Sequence, residues 1–234
     1  MIHAAANGPQ DAECAEFARR HGWDDAPGEP VVILCRRLDP GTLAGCLEPP
    51  RLGCCEMEAF AADTLGRHFM LHLATGGLGL ALRTDTAYGA DLGNRFVAAL
   101  KRRLLQPGET VADLDLTTHE MVANALIHGN LGITSPRPDS GGFEAYCREM
   151  DRRLATPELV RRRIELSGAR VGPDIEIAVR DEGGGYLPGS GHPRDARRRH
   201  GLEIVALAAD AVCTEEHGRC TVARFPILPG PEGG

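Results

Sequence analysis

The sequence predicts an α+β protein whose sheet is at least partly antiparallel and packs on amphipathic helices. Three observations carry that expectation. Residues 163–167 (Arg-Ile-Glu-Leu-Ser) and 175–179 (Ile-Glu-Ile-Ala-Val) alternate as half-buried strands do, and the stretch between them reads as a hairpin connection. Residues 90–105 repeat apolar positions at helical spacing and stop before Pro107-Gly108. A second helix follows Asp113 and Asp115, buries Met121, Val122, Ala125 and Leu126, and ends at Gly129.

In chain order, residues 1–75 form an N-terminal region to which no fold is assigned. It holds a short helix expected at 12–21, an apolar strand at 31–35, turns punctuated by proline and glycine, and a helix expected at 56–67. Near Gly76 the texture changes, and residues 76–228 read as the main domain, beginning with a strand at 78–82. After the helix that ends at Gly129 come a polar loop at 134–142 and a charged helix at 143–154. Residues 186–200, rich in Gly, Pro, Arg and Asp, lack apolar periodicity and read as a loop. A helix at 201–210 and a closing hairpin, 212–215 with 220–227, complete the domain, and 229–234 is a flexible tail.

Composition narrows the function. A formal charge of -7 and a pI near 5.7 do not supply the positive field of a nucleic-acid-binding surface. Lys101 is the sole lysine, so no P-loop lysine exists. The first residues lack a basic segment followed by an apolar one, and the most apolar span, 69–82, is broken by His72 and glycines and is too short to cross a bilayer. A cytoplasmic protein without membrane or nucleic-acid partners is expected. The eight cysteines include no C-x-x-C pair and are expected to be reduced thiols. A metal site drawing Cys54 or Cys55 together with His68 and His72 is the alternative to structural histidines, which are expected here.

Candidate chemistry lies in four pieces. Glu120, Asn124 and His128, four residues apart, place a carboxylate, an amide and an imidazole on one helix face. Asn124 has the hard oxygen that suits Mg²⁺, and Glu120, one turn earlier, can take a proton from an attacking hydroxyl. Asp181 ends a strand just before Gly183, Gly184 and Gly185, so a carboxylate sits beside backbone that a flat ring can approach. The commoner fate of such an aspartate is to cap its own turn. Gly201-Leu202 opens a helix whose free N–H groups suit phosphate, and Thr221 lies on the closing strand.

Together these residues resemble the GHKL superfamily of gyrase-like and histidine-kinase-like ATPases, whose ATP site is called the Bergerat fold. The nearest flavour is the bacterial anti-sigma-factor serine kinases. Glu120 to Asn130 resembles the N box, Asp181 to Tyr186 the first glycine box, Gly201 to Val205 the second, and Cys220-Thr221-Val222 the strand whose threonine supports adenine. The resemblance spans residues 78–228 and implies a two-layer sandwich with a mixed, largely antiparallel sheet on helices. It also implies ATP and Mg²⁺ as cofactors, with Glu120 as catalytic base and Asn124 as metal ligand. Asp181, Gly183, Gly185, Gly201, Leu202 and Thr221 would complete the nucleotide site. The implied activity is serine/threonine phosphorylation of a small partner protein in a partner-switching pathway, the partner being a sigma factor or an antagonist, with a homodimer allowed. One departure stands out: the second glycine box commonly reads Gly-x-Gly-Leu, whereas this chain has Arg199-His200-Gly201-Leu202. It keeps open a catalytically reduced nucleotide-sensing or protein-interaction module of the same fold.

Overall fold

The structure is a computed structural model, and it describes residues 2–6, 12–24, 28–59, 65–133, 142–185 and 205–229. It is α+β with a mixed eight-stranded sheet. The strands are β1 (His3–Ala6), β2 (Val31–Cys35), β3 (Arg51–Glu56), β4 (Leu78–Arg83), β6 (Arg163–Val171), β7 (Asp174–Asp181), β8 (Ala211–Glu215) and β9 (Cys220–Pro226), in the order β1-β2-β3-β4-β6-β7-β9-β8. A separate short pair joins β5 (Glu109–Thr110) to β10 (Leu228–Pro229).

β4 is where the sheet changes character. Strands β1 to β4 pair parallel, and β4, β6, β7, β9 and β8 pair antiparallel. The parallel pairs need crossovers, which pass through α1 (Ala12–Arg20), α2 (Leu43–Cys46) and α3 (Arg67–Ala74). The sheet therefore runs without a break from the N-terminal region across residue 76.

Alternation sorts the side chains onto two faces. Leu78, Leu80, Leu82, Ile164, Leu166, Ile175, Ile177 and Val179 point into the larger core, beneath α5 (Leu92–Leu104) and α6 (Leu114–Ala123). On the other face Ala81, Cys55, Val32 and Leu34 pack with Phe69 and Leu73 of α3 and Phe17 of α1. Gly79 permits this approach, because a Cβ there would lie 2.7 Å from the Phe69 ring. Helices thus cover both faces, where the family resemblance implied one helical layer.

The hairpin connection is tighter than 168–174: β6 and β7 pair from Ile164↔Asp181 to Val171↔Asp174, leaving Gly172 and Pro173 as the turn. Of the helix expected at 56–67, residues 60–64 lie outside the described residues, and its described ends, 56–59 and 65–66, are not α-helical. Glu56 ends β3 as a fully buried carboxylate that accepts from the Leu38 and Arg83 N–H groups and the Thr86 hydroxyl. A short 3₁₀ turn, Met57–Ala59, follows, and α3 starts at Arg67. The charged helix is α7 (Gly142–Leu154), preceded by α4 (Thr84–Tyr88) and followed by α8 (Pro157–Val160). No helix among the described residues is long and apolar enough to cross a membrane.

Candidate nucleotide site

The helix that carries Glu120 changes its winding within the candidate motif. It is α-helical through Ala123 and π-helical over Asn124–Asn130, so that Leu131 N–H reaches back to Leu126 O at 2.9 Å. Such stretches are rare and recur at functional positions. Its last carbonyls are met by two arginines: Arg162 donates to Asn130 O at 2.7 Å and Arg153 to Leu131 O at 3.0 Å. Cations at a helix C-terminus complement its partial negative charge.

Asn130 ties this helix end to the sheet. Its buried carboxamide donates to Thr84 Oγ1 at 2.9 Å and to Arg163 O at 3.0 Å, and its Oδ1 accepts from Glu182 N–H at 2.8 Å. The amide thereby joins α4, β6 and the turn after β7. Within the motif the sequence reading assigned Asn130 no role, and its position right after the helix-ending glycine is the signal that points to it.

The glycines act at the same junction. A Cβ on Gly129 would overlap the Asp181 carboxyl, and one on Gly183 would come within 2.7 Å of Gly129 Cα. Helix end and glycine turn are thus in backbone contact, and neither position admits a side chain without displacement. Gly185 has φ +74° and its missing Cβ makes room for His217 O, whereas a Cβ on Gly184 would meet nothing within 4 Å among the described residues.

Asp181 is 3% exposed. Its N–H donates to Arg219 O at 2.9 Å, and its Oδ1 accepts from Gly183 N–H at 2.8 Å. The turn-capping role weighed from sequence is therefore present, and it occupies one carboxylate oxygen. Val179 pairs with Thr221 across β7 and β9, so Thr221, Val179 and Asp181 share one face of the sheet, the face that α6 covers.

Glu120 and Asn124 are half-buried. The Asn124 Nδ2 is a buried donor without a hydrogen-bond partner among the described residues. Such a group fits a role toward a bound ligand. The Nδ1 of His128 lies 2.6 Å from Ile133 O. Gly201, Leu202 and residues 186–200, including Arg197, Arg198 and Arg199, lie outside the described residues. Val205, the first described residue after them, is fully buried in the main core.

Beneath the site, on the opposite face, Arg163 is 1% exposed and lies 2.9 Å from Glu165 and 3.3 Å from Glu182. Burial pushes the Glu165 carboxyl above its ordinary pKa, against the pull of Arg163 and Arg180. Arg163 N–H also donates to Glu182 at 2.8 Å, so this ion cluster fixes the residue that follows Asp181.

Neither a protein-family model nor a curated protein matches the sequence. The functional reading accordingly rests on the residues and their geometry.

Proposed function

We propose that this chain is a cytoplasmic, Mg-ATP-dependent serine/threonine kinase of the anti-sigma-factor type. The observation that carries it is the junction just described: the Glu120-Asn124 helix ends in glycine-only contact with the Asp181-Gly183 turn, and Thr221 shares the sheet face of Asp181. In this reading residues 76–228 are a two-layer Bergerat-type unit, extended by the N-terminal strands and helices.

Bound Mg-ATP would supply the γ-phosphoryl group. The Asn124 amide oxygen would hold Mg²⁺, and Glu120 would accept the proton of the attacking hydroxyl. The Asp181 carboxylate would take the adenine amino group, with Gly183 and Gly185 leaving backbone room and Thr221 supporting the base. Gly201 and Leu202 would present helix N–H groups to phosphate. The substrate would be a small regulatory protein, a sigma factor or its antagonist.

The decisive comparison is Glu120→Gln against the parent. Mg-ATP affinity should stay within a few fold, while transfer to a protein acceptor falls on the order of a hundredfold or more, since the amide keeps the shape and loses the base. Equal transfer in both would remove Glu120 from the chemistry. A second reading, a nucleotide sensor without phosphoryl transfer, is favoured by Arg199 standing where the second glycine box commonly has glycine. It expects Mg-ATP binding with no transfer by the parent.

A further inference from the structure

On the sheet face opposite Asp181, α3 lays two histidines one turn apart over β6 and β7. We propose that His68, His72 and Glu176 bind a divalent ion of the zinc class. Their candidate ligand atoms all lie within 4.8 Å of one another. Glu176 Oε1 is 3.1 Å from His68 Nδ1 and 3.0 Å from His72 Nε2. Ligands bound tetrahedrally at about 2.0–2.1 Å stand roughly 3.3 Å apart, so two of the three edges are already near the required length.

Each ligand group is also anchored from behind. His68 Nε2 faces Glu215 Oε2 at 3.3 Å, His72 Nδ1 faces Ser167 Oγ at 2.9 Å, and Arg224 Nε donates to Glu176 Oε2 at 2.6 Å. Three ligands with three separate outer partners is the pattern by which proteins fix imidazole tautomers and carboxylate orientation around a metal. Hydrogen-bond counting points the same way. A neutral imidazole has one N–H, so His68 meets both Glu176 and Glu215 only as an imidazolium or with a cation in place of one proton. With a cation among the three groups, His68 donates from Nε2 to Glu215 and His72 from Nδ1 to Ser167. The remaining nitrogen lone pairs then face the ion.

Two nitrogens and one carboxylate oxygen suit Zn²⁺, with a water completing four ligands. The side chains of His72 and Glu176 are 3% and 6% exposed and that of His68 is 16% exposed, so the site is screened but open at His68. Cys54 and Cys55, the co-ligands considered from sequence, are buried on β3 and do not join the cluster. A bound ion would clamp α3, from the N-terminal region, onto β7.

The test uses the full chain, stripped with chelator and titrated with Zn²⁺ against a competing chelator, and then loaded with Co²⁺. One Zn²⁺ per chain is expected, with a Co²⁺ spectrum of nitrogen and oxygen ligands and no thiolate charge-transfer band. His68→Gln should weaken Zn²⁺ by about a hundredfold or more, and Glu215→Gln, which keeps an acceptor but removes the charge of an outer partner, by up to about tenfold. No stoichiometric binding, a thiolate band, or undiminished affinity in His68→Gln would overturn the proposal. If His68→Gln fails to fold, the parent's Co²⁺ spectrum and Glu215→Gln decide it by the same criteria.

Discussion

Asp181 is the residue where a structural demand and the proposed chemistry meet. One of its oxygens caps the turn through Gly183 N–H, a bond that any glycine turn after a strand could use. Base selectivity tests whether it does more. Adenine offers an amino donor where guanine offers a carbonyl acceptor, and a hydrogen bond to a buried charge is worth roughly 1.5–3 kcal/mol. Competition binding should therefore favour ATP over GTP by at least about tenfold, and Asp181→Asn should weaken ATP and narrow that gap. Equal binding of the two nucleotides by the parent would leave Asp181 as a turn cap alone. Asn130 shows the reverse case. Its three hydrogen bonds give it a structural duty at the site, and Asp181, Asn124 and Glu120 were the more legible residues because their chemistry is visible in their type and spacing.

At the scale of elements, the junction between the π-helical segment and the β7 turn holds the site together. Its closeness depends on absent side chains. Gly129→Ala would press a methyl into the Asp181 carboxyl, and overpacking of this kind costs about 1–3 kcal/mol. Urea denaturation should record that loss, accompanied by weaker nucleotide binding. Gly184→Ala is the control, since no described residue lies within 4 Å of its Cβ, and it should leave both properties nearly unchanged. Equal behaviour of the two variants would mean that the contact does not shape the site. The sequence exposed the helix and the strand through their periodicity. It did not expose the switch from α to π winding, which answers to the Asn130 and Arg162 contacts made with distant elements.

For the whole molecule, the sheet makes the N-terminal region part of one hydrogen-bonded body. β4 pairs on one side with β3 and on the other with β6, and all six of its residues are buried. Deleting residues 1–76 would turn β4 into an apolar edge strand and strip α3 from the opposite face. Exposed edges of this kind promote association. The shortened chain should aggregate or melt at a clearly lower temperature than the parent, as read by light scattering and circular dichroism during heating. A monomeric fragment with the parent's melting temperature would show that residues 77–234 are self-sufficient.

The sequence by itself determined the α+β class, the β6–β7 hairpin, α5, α6 and the identities of the candidate nucleotide-site residues. These follow from local signals, namely apolar period, capping residues and spacing within a few turns of chain. Only the tertiary structure decided the parallel addition of β1, β2 and β3 to the sheet and the end of β3 at Glu56. It also decided the backbone contact of Gly129 with Gly183, and the meeting of His68 and His72 with Glu176. Each depends on groups far apart in the chain. Glu56, a charged residue that locally suits the start of a surface helix, is instead buried because Leu38, Arg83 and Thr86 donate to it.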